Sequence, residues 1–419
     1  MPGTTTPPAP PRGEPHATRP PAAPTAPAAP AQRTAQAATP RLVGLTPAEH
    51  LAFLRGCRDR SDAGLGHVSF LQTPAWARVK PGWRAESLGW REGERLVGAA
   101  LVLRRELPGL RRSFAYLPEG PVIDWASPGL ADRLAPLLAH LADRGVFAVR
   151  MGPPLAYRRW SARTLKAAVG PGRRVTDVLA DRVEPLGAAV SEQLRAAGWQ
   201  RCAEEGGGDA QPRLVVEVPL AGRSPEDLWA GLNQEWRRNV KRAGRAGVET
   251  AETGAADLPA FHRLLGVTER RDGFRLGRTL EYYQRQYAAL NEDRPGAMRL
   301  FTARWNGEVL AAHTLLHSAD GARAWYQTGA SSDHLREVRP SNALQWRLLR
   351  EAHARGASVY DMRGVPQTLD PDERPFGLLR WKLGTGGEVV ELAGEWELRL
   401  DGAVNRALHR AVRGYLARR

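Results

Sequence analysis

The chain has 419 residues, 42% of them hydrophobic, enough for two domains of ordinary size with sizeable cores. Its formal charge of +15 favours acidic partners: nucleic acid, anionic lipid headgroups or phosphorylated substrates. Cys57 and Cys202 make neither a disulfide framework nor metal-ligand spacing, and no apolar run approaches the roughly 20 residues that span a bilayer, so a cytoplasmic protein is expected.

Residues 1–40 hold 12 Pro and 11 Ala and almost no large apolar side chain. Such a segment cannot bury enough surface to offset its ordering entropy and is read as a disordered tail. The N-terminus lacks the basic start and apolar stretch of a secretory signal. Folded sequence begins near Arg41. Thr73 and Pro74 read as N-cap and first position of a helix through Trp76, Val79 and Lys80. Strands follow at Arg95–Leu103 and Phe114–Tyr116. Leu130–Asp143 has helical periodicity, Gly145 stops it, and Val146–Met151 reads as a buried strand.

The same order recurs downstream. Trp305-Asn306-Gly307 is a hairpin signal, followed by strands at Val309–His317 and Ala322–Thr328. Ser341 is expected to cap a helix to Arg355, Gly356 to end it, and Ser358–Met362 to form another buried strand. Gly93 to Gly145 spans 52 residues and Gly307 to Gly356 spans 49, so one α/β unit occurs twice. The join is placed near Gly206-Gly207-Gly208-Asp209. Beyond it come a strand at Leu214–Val218, a helix over Pro225–Arg245 and another over Thr279–Leu290. A strand at Glu395–Leu400 and an amphipathic helix at Val404–Leu416 follow. The expected domains are 41–209, completed by 393–419, and 210–392.

Of the 60 basic residues only four are lysines, Lys80, Lys166, Lys241 and Lys382. A chain that writes Arg wherever a plain charge suffices keeps Lys where a compact, titratable ammonium is useful.

Four stretches together resemble the FemABX family. They are Ser69-Phe70-Leu71-Gln72-Thr73-Pro74-Ala75-Trp76 leading to Lys80, Phe114-Ala115-Tyr116-Leu117-Pro118-Glu119-Gly120-Pro121, Arg238-Asn239-Val240-Lys241-Arg242-Ala243, and Gly377-Leu378-Leu379-Arg380-Trp381-Lys382. The resemblance covers roughly Leu65 to Leu400. It implies an α/β (α+β) fold of two tandem GNAT-like domains related by duplication, with mixed central sheets flanked by helices. It also implies a monomeric aminoacyltransferase that uses no metal or coenzyme A. Such an enzyme takes an amino acid, glycine here, from aminoacyl-tRNA to the side-chain amine of the third stem-peptide residue of UDP-MurNAc-pentapeptide or the lipid-linked precursor at the inner membrane face.

The resemblance carries roles onto particular residues. Lys80 would contact the acceptor diphosphate, although a cation also suits a helix C-terminus. Arg278 and Tyr282, four residues apart on one helix face, would line the acceptor groove with Tyr326. Trp381 stands where the family usually has Phe and would stack on the terminal adenine, while Lys382 would serve the tRNA end and the developing oxyanion. Arg238, Lys241 and Arg242, in a basic run around Trp236, would hold tRNA phosphates. One departure is visible. Met151-Gly152-Pro153-Pro154 has no carboxylate where some relatives carry one near the acceptor amine, so no general base is assigned, and Asp124 and Asp361 are the substitutes considered. Lys241-Arg242-Ala243-Gly244-Arg245-Ala246 also mimics an acetyl-CoA diphosphate loop. A coenzyme A-dependent GNAT enzyme, or a non-catalytic RNA- or membrane-surface-binding immunity factor, therefore stay open as alternatives.

Overall fold

The computed structural model describes residues 40–60, 64–202 and 208–400, besides the isolated Gly3 and Gly402. The Pro/Ala-rich tail as far as residue 39, Gly206 and Gly207 of the expected join, and the helix expected at Val404–Leu416 lie outside the described residues.

Two mixed sheets organise the rest. The first has seven strands in the order Arg41–Gly44, Arg84–Glu92, Arg95–Glu106, Ser113–Leu117, Val146–Met151, Trp396–Arg399 and Gln200–Arg201. The second has nine: Glu249–Thr253, Met298–Trp305, Glu308–His317, Arg323–Ser331, Val359–Gly364, Leu214–Pro219, Glu388–Leu392, Ala156–Trp160 and Arg182–Val183. Segments are exchanged between them. Trp396–Arg399 pairs with Val146–Met151 in the first sheet, whereas Ala156–Trp160 pairs with Glu388–Leu392 in the second.

The duplication is visible in the pairing. In each copy a hairpin leads to a third strand, a helix crosses over, and the fourth strand returns parallel to the third. The parallel pairs are Ser113–Leu117 with Val146–Met151, and Arg323–Ser331 with Val359–Gly364. The second copy's hairpin turns at Asn306 and Gly307, both left-handed (φ 47° and 81°), as a two-residue loop requires.

The crossover helices supply the cores. Leu130–Asp143 buries Leu130, Leu134, Leu137 and Leu141, one stripe at helical spacing, in a cluster with Trp90, Trp125 and Trp396. Pro340–Ala354 buries Leu344, Leu348, Leu349 and Ala352 with Phe301 and Tyr360.

Three local expectations are corrected. Thr73 stands at the N-cap and Pro74 at the first helical position as expected, but the Thr73 hydroxyl donates backwards to Phe70 O at 2.7 Å and accepts no helix N–H. The helix expected to be capped by Ser341 starts two residues earlier, with Arg339, left-handed, at the cap position and Pro340 first in the helix, because Pro is preorganised for the first helical turn. Pro225–Arg245 is two helices, Pro225–Gly231 and Gln234–Arg245. Leu232 turns extended, and Asn233 starts the second helix by accepting the Trp236 N–H at 2.8 Å.

Candidate functional site

The helix Pro74–Val79 ends at Lys80, whose N–H still reaches Ala77 O at 3.1 Å while its backbone leaves the helical region. The second copy contributes the helix Leu280–Asp293, capped by Thr279, whose hydroxyl accepts the Tyr282 N–H at 3.2 Å. Arg278 lies in the loop just before the Thr279 cap and not, as expected, on the helix with Tyr282, but the helix ends still bring Lys80, Tyr282 and Arg278 together. Lys80 Nζ lies 5.4 Å from the Tyr282 ring centroid and 5.4 Å from that of Trp76, and Arg278 Cζ lies 4.9 Å from the Tyr282 ring. Burial, and secondarily Arg278, holds the Lys80 ammonium below its ordinary range. The Tyr282 hydroxyl is buried without a hydrogen-bond partner, and burial pushes it up. Neither cation forms an ion pair with a carboxylate among the described residues. Two like charges gathered over one aromatic ring, with an unused hydroxyl beside them, suit a bound anion.

The second set of residues sits where the parallel pair of the second sheet diverges. Arg323–Ser331 pairs with Val359–Gly364 only from Arg323 to Trp325. Beyond that point Tyr326 leaves the ladder on one side, and on the other the backbone kinks at Arg363, left-handed at φ 58°. Carbonyls freed by such a divergence need donors. Lys382, on the helix Phe376–Leu383, supplies them: Nζ donates to Met362 O at 2.6 Å and Gly364 O at 2.7 Å, with Arg363 O at 3.4 Å. Burial holds this ammonium down to about 7, against the pull of Asp361.

Trp381 lies among aromatics, 5.0 Å from Trp236 and 6.5 Å from Tyr326 between centroids, and its carbonyl accepts the Trp236 indole N–H at 2.8 Å. Gly384 is needed here, since a β-carbon would run into the Trp236 ring. Trp236 is the buried edge of the basic helix. Arg238, Lys241 and Arg242 are exposed on the same helix, while Arg237 turns back to the carbonyls of Ala230 and Leu232 at 2.9 and 2.6 Å.

The two sets share a scaffold. Gln286, one turn beyond Tyr282, donates to Gln327 Oε1 at 2.8 Å, next to Tyr326. A second path runs through groups that the sequence did not single out. Arg363 Nη1 donates to Glu119 Oε1 at 2.9 Å and Nη2 to Gln211 Oε1 at 3.0 Å, and Gln211 Nε2 reaches Tyr116 Oη at 3.4 Å. Tyr116 donates to Glu395, and its ring lies 6.4 Å from that of Trp83, whose N–H bonds Lys80 O. Burial pushes the Glu119 carboxyl up, but Arg363, with His67 and Ser69, outweighs it and keeps the group below its ordinary range. Burial pushes Glu395 up to about 7 against its hydrogen bonds from Tyr116 and the Ala210 N–H.

Glu119 and Glu395 border, together with Gly152, Pro153 and Pro154, a cavity of ≈ 20 Å³, room for about one water. Carboxylates absent from the local sequence after Arg150 are thus present in space. Both lay in or beside quoted stretches, but only the fold folds them onto Gly152. Asp124 and Asp361 have structural work. Asp124 accepts the Ala126 N–H at 2.9 Å, and buried Asp361 accepts the Arg363 N–H at 2.6 Å and pairs with Arg323 at 3.2 Å. Cys202, Asp209 and Glu395 bring one ligand-type atom each to within 4.8 Å of one another. The Cys202 thiol is pushed up to about 12 by burial and Asp209 accepts the Glu395 N–H, so this cluster is knitted by its own hydrogen bonds.

Comparison with known proteins places this geometry. A family profile described as FemAB family matches residues 65–296, more than half of the chain. The chain belongs to the FemAB family. An acetyltransferase (GNAT) domain profile matches residues 232–381, a span that holds Tyr326 and Trp381 and stops one residue short of Lys382. The chain is similar to proteins named lipid II:glycine glycyltransferase from Staphylococcus aureus. In strain USA300 the identity is 22% over 88% of this chain and 94% of the relative, with the same values in strain bovine RF122 / ET3-1. A crystal structure of FemX superposes with a TM-score of 0.72 at 20% identity, over 89% of this chain and 100% of that one, which fixes the shared fold. As in a FemAB-family fold of this kind, the two copies are α/β units with mixed sheets flanked by helices. No helix among the described residues is long and apolar enough to cross a membrane.

Proposed function

We propose that this chain is a tRNA-dependent aminoacyltransferase that moves an amino acid, glycine in the first instance, onto the side-chain amine of the third stem-peptide residue of a peptidoglycan precursor. One observation carries the reading: Lys80 and Arg278, drawn from different copies of the repeat, lie over Tyr282, and neither forms an ion pair with a carboxylate among the described residues. Such a site matches the diphosphate shared by a UDP-linked and a lipid-linked muropeptide, gripped by a guanidinium, an ammonium and a phenol. The activity for which the staphylococcal relatives are named favours glycine and the lipid-linked acceptor.

Aminoacyl-tRNA is an activated ester, so aminolysis runs downhill without further energy input. The protein has to align two bulky anions, which is worth roughly 7–11 kcal/mol of barrier when the geometry is good. It also has to stabilise the tetrahedral oxyanion, for which one donor supplies about 3–4 kcal/mol. Lys382 is assigned that role. Two of its N–H groups hold the Arg363 turn and the third, at 3.4 Å from Arg363 O, is weakly used. The amine proton leaves through a substrate group or water. Trp381 and Tyr326 wall the donor side, and the exposed Arg238, Lys241 and Arg242 meet the tRNA backbone.

A coenzyme A-dependent reading fits less well. The connection between Arg323–Ser331 and Pro340–Ala354, residues 332–339, contains no glycine to let a backbone cradle a diphosphate, and the Gly244 hexamer is largely helical. The test is transfer of radiolabel from glycyl-, alanyl- and seryl-tRNA to lipid-linked and UDP-linked precursors. A labelled precursor whose third-residue amine is acylated supports the proposal; no transfer with any charged tRNA, together with stabilisation by coenzyme A in a melting scan, refutes it.

A further inference from the structure

The helix Leu258–Asp272 ends at Gly273, left-handed at φ 74°, and a short loop leads to Arg278 and Thr279. The loop backbone is pinned. The Gly273 and Phe274 N–H groups donate to Glu269 O at 2.9 and 3.2 Å, and the Leu276 N–H donates to Glu269 Oε1 at 2.8 Å. Within this fixed backbone Phe274 and Leu276 are each 42% exposed. Beside them runs the segment leading into the Phe376–Leu383 helix: Arg374 donates to Arg271 O, and on that helix Leu378 is 47% exposed.

Single exposed apolar side chains need no explanation, but several gathered in one place among free cations do. Arg270, Arg275 and Arg380 are exposed and form no ion pair among the described residues. Of the nearby acids, Glu269 is tied to the loop backbone and Asp272, although exposed, is paired with Arg271, while Asp372 and Glu373 are exposed and form no ion pair among the described residues. Leu179, more exposed still, sits between Asp177 and Asp181, a setting that an anionic surface would repel.

We propose that the Gly273–Arg278 loop, with Leu378 beside it, is a docking edge for an anionic lipid bilayer, inserting Phe274 and Leu276 between headgroups that Arg270, Arg275 and Arg380 attract. Large apolar side chains ringed by arginine are the composition of an interfacial anchor. The loop ends on Arg278, so a bilayer held there presents a lipid-linked diphosphate directly to the Lys80–Arg278 pair; this last clause rests on the function proposed above.

The test uses the full chain, a Phe274→Ser/Leu276→Ser variant and an Arg275→Gln/Arg380→Gln variant. Each is floated with vesicles of phosphatidylcholine alone or of equal parts phosphatidylcholine and phosphatidylglycerol, with melting curves as the control for folding. The unmodified protein should float with the anionic vesicles only. The apolar variant should bind them at least tenfold more weakly, and the arginine variant about fivefold more weakly per charge. The apolar variant should also keep transfer to a water-soluble UDP-linked acceptor while losing transfer to a vesicle-embedded one. Absence of binding by the unmodified protein, equal binding by the folded apolar variant, or loss of charged-tRNA affinity in place of vesicle affinity overturns the proposal. Vesicle binding as described without any aminoacyl transfer would support the docking edge and count against the transferase reading alone.

Discussion

Arg363 and Glu119 form a buried ion pair between the two copies of the repeat, Nη1 to Oε1 at 2.9 Å, and each holds a left-handed backbone (φ 58° and 45°) in doing so. The pair joins the turn caged by Lys382 to Ser69 and His67, just ahead of the Pro74–Val79 helix in the first copy. Breaking a buried pair on one side leaves the other charge without compensation. Glu119→Ala is expected to lower unfolding free energy by about 3–5 kcal/mol, read from the urea midpoint. A change under about 1 kcal/mol would mean that the pair behaves like a surface bridge.

Lys382→Met removes both the donors to Met362 O and Gly364 O and the proposed oxyanion contact. Turnover is expected to fall by about 10²–10³-fold, with near-normal affinity for the acceptor. Single-turnover kinetics with charged tRNA distinguishes this from a binding defect. Unchanged turnover in a folded variant would leave the lysine a purely structural part of the turn.

Glu395 gives a pH prediction with a definite sign. Its folded-state value of about 7 lies above the ordinary 4.5. Below about pH 4.5 it is protonated folded or unfolded; as the pH rises towards about 7 the unfolded chain loses that proton and the folded one keeps it, so stability falls, and above about 7 the penalty is constant. Glu395→Gln has no such penalty. The melting temperature of the variant relative to the parent should therefore rise between about pH 5 and pH 8. A difference that is flat with pH would place the ordinary carboxylate value in the folded protein.

The basic helix makes a salt-dependence prediction. Replacing Arg238, Lys241 and Arg242 by Ala should weaken tRNA binding and flatten its logarithmic salt dependence by about 2–3. Since all three are exposed, melting temperature should hardly move. Retention of the parent slope would assign the helix to the solvated surface.

Much of this arrangement was legible before the fold was known, for physical reasons. Leu130–Asp143 and Val146–Met151 are observed at the expected bounds because one has an unbroken helical stripe ended by Gly145 and the other is a short, mostly apolar run that starts just after that glycine. The repeat was readable because hairpin, crossover helix and returning strand each leave local punctuation. Lys80, Arg278 and Tyr282 were found as separate residues, but their convergence depends on how the two copies pack. Glu119, Arg363 and Glu395 were missed as a group because their partners are remote in sequence, between 185 and 279 residues away for the Ala210 and Tyr116 contacts of Glu395. The break at Leu232 was signalled by Asn233, a good N-cap, but the flanking helical periodicity masked it.

The central claim is that Lys80, Tyr282 and Arg278 together hold the acceptor diphosphate. Titration calorimetry of UDP-MurNAc-pentapeptide into the parent, Lys80→Ala, Arg278→Ala and the double variant measures this most directly. Each single change is expected to weaken binding by about tenfold or more, with the double variant less than additive because the two cations share one anion. Equal affinity in all four folded proteins would contradict the account.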